Sequence, residues 1–369
     1  MFVLKRPLFT MLAAAIISGG LILLHAEWTD TLLNIWLMFM IWVVVVTIHE
    51  LGHVLFGVYN GLCFQFFAVG PVLIQKEGSK IRVLENKQWM YFGGVALLTP
   101  PSFDIPNLSK KWSLMILGGP LTSFIAAILS YLVYIAIDNM YLFYFSVLHI
   151  TTSIVTAIPI KSKTSFNTDG AQFLILRKND EEAKRHLDAT LILGELYSPK
   201  LPRDWEPTLA RKCQDLIDTE EDILKKVTPL LFQFYYVSDQ DGMEKGVSLI
   251  EPIVQLPTTK ENKLLLGFFH SSFILYKFLF EQETCDSNAL KQHFLAILKL
   301  DLYSYYRSLA IIKYLEHDIG SSRKYIEKSE GELKSLEAGG FGFGKLEREW
   351  FELLKDRMNT SCEPIVTQK

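Results

Sequence analysis

The run His49-Glu50-Leu51-Gly52-His53 has residue types and a spacing that point to a specific chemistry. On an α-helix, residues four apart lie on one face. Two imidazoles placed that way can reach one zinc ion, and the glutamate between them sits beside its open coordination position. That glutamate can take a proton from water and so generate a nucleophile near neutral pH. A five-residue pattern of this kind arises by chance in roughly one chain in a hundred. Its surroundings must therefore decide the reading.

Those surroundings are apolar. The residues from Leu32 to Ile48 include the run Val43–Val46. At ~1.5 Å per residue, His49 lies about 25 Å along that span. It falls inside a hydrocarbon layer, near one boundary. Three ionisable side chains at that depth are costly unless they bind something or line a polar cavity. The competing reading is a surface helix that begins where the span ends and carries the pattern by accident.

The elements that must position these residues follow from composition. The chain has 369 residues, of which 50% are hydrophobic and 21% charged, and its mean hydropathy is +0.21. Those averages exclude a disordered chain and fall below the charge content of an ordinary soluble enzyme. A net charge of −3 supplies no basic field for nucleic acid. The cysteines, Cys63, Cys213, Cys285 and Cys362, form no CxxC pair, which excludes a disulfide framework and a four-cysteine zinc site. Charge is unevenly spread. Residues 1–170 hold 10 Lys and Arg and 8 Asp and Glu; the remainder holds 27 and 32. This contrast predicts a membrane domain over 1–176 and a water-soluble domain over 177–369, joined near Arg177–Lys184.

Four apolar stretches are long enough to cross a bilayer: Pro7–Leu24, Leu32–Tyr59, Trp112–Ile137 and Tyr141–Ile160. The loop lysines and arginines (Lys5, Arg6, Lys76, Lys80, Arg82, Lys87, Lys110, Lys111, Lys161, Lys163) all fall on one side, which the positive-inside rule makes cytosolic. Both termini and the soluble domain are then cytosolic. Reading the first stretch as a cleaved signal peptide leaves the rest of this orientation intact. Between the second and third spans, residues 60–111 are too broken to cross. Phe64, Phe66, Phe67, Val72–Ile74, Ile81–Leu84 and Trp89–Phe92, with a turn at Glu77-Gly78-Ser79, predict short strands, either a membrane-associated β-hairpin or a plain cytosolic one.

Zinc requires a third protein ligand. His25 falls on the opposite side of the membrane, and His149 lies mid-span in the fourth stretch. Asp169, in Asn167-Thr168-Asp169-Gly170, lies just past the cytosolic end of that stretch, at the depth of His49 and His53. Asp104 is the weaker competitor on the same side.

With these residues in place, the chain resembles the site-2 protease family of intramembrane zinc metalloproteases, the M50 peptidases. His49–His53 matches the family's HExxH helix, and Thr168-Asp169-Gly170 resembles its Asp-Gly motif. Gly118-Gly119-Pro120-Leu121-Thr122-Ser123 looks like its small-Gly-Pro-Leu-Ala-Asn helix. Phe92-Gly93-Gly94-Val95 resembles its Gly-Gly hairpin element, and Ile158-Pro159-Ile160 resembles its Pro segment. The resemblance covers roughly residues 30–175. It implies His49, His53 and Asp169 as zinc ligands and Glu50 as general base and then proton donor. Two positions depart from the family: Thr156 and Ser123 stand where asparagine is usual. The first asparagine helps hold substrate, so the resemblance passes that role to Thr156, or to nearby Asn167. Glycines 118 and 119 also read as plain helix-packing residues.

Beyond the join, Gly242–Val254, Lys263–Phe280, Ala289–Leu300, Tyr305–His317 and Ser322–Leu336 show helical spacing. They fit either tetratricopeptide-like hairpins or an irregular helical bundle.

The expected function is zinc-dependent hydrolysis of a peptide bond in a membrane-embedded or membrane-delivered protein or peptide, near the cytosolic face of a bacterial plasma membrane. The soluble helices would recruit substrate or a cytosolic regulator. One alternative is a non-catalytic scaffold of the same fold that binds peptides or partners. Another is a metalloprotease whose third ligand is Glu181 or Glu182.

Overall fold

The computed structural model describes residues 6–77, 80–87, 89–101, 107–161, 167–178, 180–259, 262–281, 286–337 and 340–360. Its contacts divide the chain into two compact units, Met1–Leu187 and Asp188–Lys369.

The first unit is built on apolar helices. These are α1 (Pro7–Leu24), α2 (Thr29–Tyr59), α3 (Leu108–Ile137) and α4 (Met140–Ala157). Each is long and apolar enough to cross a membrane. Helix α1 starts on a proline, whose missing N–H costs nothing in the first turn. Helices α3 and α4 are joined by Asp138, in the left-handed region at φ +55°, and Asn139, whose side chain accepts from the Tyr141 amide. Helix α4 stops at Ala157, three residues before the expected end of the span. Pro159 forces the residue before it out of helical geometry, and Ile158 is accordingly extended at ψ 126°.

Helices α2 and α3 touch at backbone distance. A Cβ on Gly52 would overlap the Gly118 carbonyl and the Thr122 side chain, and one on Gly118 would overlap the Gly52 carbonyl and Phe56. This is the close crossing that small residues permit between apolar helices.

The segment after α2 forms a four-stranded antiparallel sheet, wider than a hairpin. It contains β1 (Cys63–Val69), β2 (Val72–Glu77), β3 (Lys80–Glu85) and β4 (Val95–Thr99), in the order β3-β2-β1-β4. The β2–β3 hairpin runs from Val72 opposite Glu85 to Glu77 opposite Lys80. β1 carries a bulge between Phe64 and Phe66 against β4. One expectation is corrected: Trp89–Phe92 contributes no strand. Trp89–Tyr91 is a 3₁₀ turn, Gly94 turns the chain at φ +102°, and the paired strand comes only afterwards. Phe92 stacks on Phe39 and Trp42 of α2, so packing rather than pairing holds this stretch. Phe67 and Val69 of β1 close a small core against Val46 of α2. The sheet is therefore fixed to the helical turn just before His49.

The unit continues through α5 (Asp169–Lys178) into α6 (Glu181–Leu196), and the division between units falls inside α6. The second unit is helical. After α6 come α7 (Pro207–Thr219), α8 (Ile223–Asp241), α9 (Met243–Val254), α10 (Lys263–Phe280), α11 (Ser287–Leu295), α12 (Leu302–Leu315), α13 (Ile319–Glu337) and α14 (Phe343–Thr360). Helix α11 ends five residues short of its expected limit. Chain neighbours pack together, α7 with α8, α8 with α9 and α12 with α13 among them.

At the centre of the second unit is a buried ion pair. Arg307 of α12 and Glu347 of α14 are both fully shielded. Tyr235 of α8 and Tyr303 of α12 each donate to Glu347 at 2.9 Å. Arg307 also donates to Ser271 of α10 at 3.0 Å. Four helices are thus joined through one polar cluster whose charges are paired and hydrogen-bonded, as burial requires.

Candidate metal centre

Helix α2 carries His49 about 30 Å from its first residue, at ~1.5 Å per residue. Both histidines of the run are buried, and Glu50 between them is half-buried. The ligand atoms of His49, Glu50 and His53 lie within 4.8 Å of one another. Asp169, the first residue of α5, reaches the same place. Its Oδ2 is 3.2 Å from His49 Nε2 and 3.6 Å from His53 Nε2.

Asp169 is delivered by a short clasp. The Thr168 hydroxyl donates to the Ile158 carbonyl at 2.6 Å and accepts from the Ile160 amide at 3.0 Å. The Thr168 amide donates back to the Ile160 carbonyl. The end of α4 and the start of α5 are thereby tied together, whatever lies in the stretch between them. Gly170 then lies so close to the Ala157 carbonyl that a side chain there would overlap it.

The outer edge of each imidazole is also held. His53 Nδ1 lies 3.0 Å from the Met115 carbonyl, and His49 Nδ1 lies 3.0 Å from the Ser123 hydroxyl. Both partners are on α3. A carbonyl can only accept, so His53 carries a proton on Nδ1, and its Nε2 faces the Asp169 carboxylate at 3.6 Å. A carboxylate and an imidazole nitrogen at that distance need positive charge between them, which a proton on Nε2 or a bound metal ion supplies.

The donor set fits zinc. Ligand atoms about 2.0–2.1 Å from a tetrahedral ion sit about 3.3 Å apart, and the observed 3.2 and 3.6 Å bracket that value. Two imidazoles and a carboxylate, each imidazole held at its other nitrogen, are the donors expected of a catalytic site. Gly119 completes the cradle. A Cβ there would fall 2.9 Å from His49 Nε2 and nearer still to His53 Nε2. Gly118 thus has the packing role expected of it, while Gly119 instead leaves room for the two rings.

Electrostatics agree with the geometry. Burial alone would raise the Asp169 carboxyl, but the bonds to His49 and His53 outweigh it and hold the group well below its ordinary value.

Glu50 faces the sheet. A Cβ on Gly94 would lie 2.8 Å from Glu50 Oε1, so the turn into β4 passes directly over the glutamate. A cleft of about 170 Å³ opens beside Asp169. Pro120, Ala157, Phe173 and Leu174 are among its apolar walls.

The other residues named from sequence fall as follows. The Thr156 hydroxyl donates to the Thr152 carbonyl of its own helix. The Asn167 carbonyl accepts from the Gln172 side chain. His25 interacts with Glu27 at the far end of α2. Asp104 lies outside the described residues. Glu182 pairs with Lys161 and Glu181 with Lys184, both at exposed positions. Three contributors were not read from sequence: the Met115 carbonyl, the Ser123 hydroxyl as a partner of His49, and Gly94 above Glu50. Ser123 was legible only as a departure from a motif. A backbone carbonyl leaves no mark on residue type.

Comparison with known proteins adds one finding. Residues 37–336 match the sequence model of Peptidase family M50, a stretch that takes in His49, Glu50, His53 and Asp169 and most of the second unit. No curated protein and no solved structure matches the chain.

Proposed function

The chain belongs to peptidase family M50, and from that premise we propose that it is an intramembrane zinc endopeptidase. It hydrolyses a peptide bond of a membrane-embedded or membrane-delivered protein or peptide, near the cytosolic face. One observation carries this reading: His49, His53 and Asp169 converge on a single point, with Glu50 alongside.

Bound at that point, zinc supplies Lewis acidity toward the scissile carbonyl and stabilises the charge that develops there. The chain's own residues do the remaining work. Glu50 takes a proton from the attacking water and returns it to the leaving amine. Met115 and Ser123 keep the imidazoles in place. The neighbouring apolar helices limit bulk water.

A helical substrate must unwind before its carbonyl is accessible. β4 is an edge strand beginning next to Gly94, and a peptide added along it would run past Glu50. The cleft beside Asp169 suits an apolar substrate side chain. The one-sided loop lysines and arginines support an orientation with both termini cytosolic, and on this reading the membrane is a bacterial plasma membrane. The second unit then faces the cytosol, where its stacked helices, tetratricopeptide-like in their succession, would recruit substrate or a regulator.

A non-catalytic scaffold is the second reading, and one observation favours it: Thr156, placed where the family holds substrate, spends its hydroxyl hydrogen on its own helix. Glu50→Gln decides between them. For an enzyme, the variant keeps stoichiometric zinc and loses about 10²–10⁴-fold in turnover. Membrane peptides from cells carrying wild type or Glu50→Gln should then differ at defined cleavage sites. Identical peptide sets would leave the scaffold standing.

A further inference from the structure

Three cations at the cytosolic end of the first unit have no part in the chemistry described so far. At the start of α3, the Ser109 hydroxyl donates to the Leu176 carbonyl near the end of α5 at 2.6 Å. The same two helices meet again around the cleft, at Pro120 and Asp169. They therefore run antiparallel, and Lys110 of α3 comes level with Arg177 and Lys178 of α5. The helical rise agrees: Arg177 lies ~12 Å beyond Asp169, and Lys110 lies ~13.5 Å before Gly119, which packs against the histidine rings.

All three side chains are exposed, and no carboxylate among the described residues pairs with them. Glu182, within electrostatic reach of Lys178, is taken by Lys161. Basic residues in the last turn of α5 complement its dipole. That does not account for Lys110. It stands with Lys111 in the first turn of α3, where no acidic residue offsets them and the dipole disfavours a cation.

Below the cations, toward the metal centre, lies the apolar cleft. Each cation stands over one of its walls. Lys110 is two helical turns from Leu117 on the same stripe, and Arg177 and Lys178 are one turn from Phe173 and Leu174. The Arg177 guanidinium lies 5.9 Å from the centre of the Phe173 ring. Ser153 of α4 donates to the Pro120 carbonyl at 2.9 Å, which brings Ala157, one turn on, into the lining. Leu174 is half exposed and forms an outer lip.

Charge and apolar surface thus follow one another in the order of a phospholipid. His49 lies about 5 Å inside the cytosolic boundary of a hydrocarbon core ~30 Å thick. The cations then stand at the headgroup layer, which adds ~5–7 Å beyond that boundary, and their flexible stems bend back to it.

We propose that Lys110, Arg177 and Lys178 form a binding site for the phosphate of an anionic phospholipid, with one acyl chain lying along Leu174 at the lip of the cleft. The floor of the cleft beside Asp169 stays open to substrate. A zwitterionic lipid carries its own cation beside the phosphate, so net negative charge is what the site selects. The site requires the chain to lie in a bilayer but does not require the metal.

Native mass spectrometry of the full-length protein in a neutral maltoside detergent tests this. Bound lipid is counted as dioleoyl phosphatidylglycerol or dioleoyl phosphatidylcholine is titrated in. The anionic lipid should bind about 10-fold more tightly or better. Lys110→Gln, Arg177→Gln and Lys178→Gln should each weaken it about fivefold, and the triple variant about 100-fold. Lys110→Arg with Arg177→Lys and Lys178→Arg keeps the charge and should keep the affinity. Lys76→Gln with Lys80→Gln and Lys87→Gln removes the same charge from the strand segment and should change nothing. Leu174→Gln should weaken the dioleoyl lipid but not its dihexanoyl counterpart. Inorganic phosphate in millimolar excess should not compete.

Equal affinity for the two lipids overturns the proposal. So does an equal loss from the strand-segment lysines, the signature of a diffuse positive surface. Full competition by inorganic phosphate would assign the cations to a soluble phosphate compound, and tighter binding of an octaglutamate peptide would assign them to an acidic protein segment; either overturns the lipid. A chain that binds no lipid of any kind overturns the membrane reading and this inference with it. A lipid-bound chain indifferent to the three cations overturns the inference alone.

Discussion

Asp169 Oδ2 lies 3.2 Å from His49 Nε2, although 120 residues separate them in the chain. The approach depends on two local devices. Pro159 ends α4 at the right depth, and Thr168 ties the chain back across that end. Asp169→Ala should therefore lower zinc affinity by at least 10- to 100-fold and abolish turnover, with the helical content of the metal-free protein unchanged. Equilibrium dialysis followed by metal analysis measures the affinity. Full zinc occupancy in Asp169→Ala would remove this residue from the centre.

The cradle around the rings leads to a second expectation. Gly119→Ala places a methyl against both imidazoles. Overpacking of this kind costs about 1–3 kcal/mol, and here it also displaces the donor atoms. Zinc binding and melting temperature should fall together. Gly93→Ala is the control, because a Cβ at that position meets nothing within 4 Å. Gly94→Ala should resemble Gly119→Ala in activity but spare zinc, since its Cβ would strike Glu50 and not the ligands.

In the second unit, the Arg307–Glu347 pair has no access to solvent. Removing one partner strands a buried charge, at a cost of about 3–5 kcal/mol. Glu347→Ala should lower the unfolding free energy obtained from denaturant titration by that amount. Arg307→Met with Glu347→Leu should be much less damaging than either change alone. Additive losses in the double variant would show that the two charges are not coupled.

A pH dependence follows from α10 and α11. His270 Nδ1 lies 3.1 Å from His293 Nδ1. Burial, reinforced by the neighbouring His293 ring, pushes the His270 imidazole down to about 4. Burial lowers His293 as well, reinforced by Lys277. The unfolded chain takes up protons near pH 6.5, before the folded one does. Stability should be full above about pH 6.5 and decline as pH falls toward 4, by roughly 1–3 kcal/mol after allowance for solvent screening. His270→Gln should flatten that slope in thermal melts recorded across the window.

Much of this protein was legible from residue order. The four apolar stretches appear because a helix crossing hydrocarbon must be apolar for about 20 residues, and their limits moved by only a few residues. His49, Glu50 and His53 were legible because helical periodicity is local: four residues bring two rings to one face whatever the rest of the chain does. The strands were harder. Trp89–Phe92 has strand-like composition, yet its aromatic rings pack on α2 and the pairing passes to Val95–Thr99.

Tertiary structure alone decided the rest. Which carboxylate faces the histidines, which α3 carbonyl fixes a proton on His53 and why Gly119 must lack a side chain all depend on the register of α2, α3 and α4. That register is set by close backbone contacts and by serine-to-carbonyl bonds between helices. Such contacts depend on shape across a packed interface, and no periodicity within one helix encodes them.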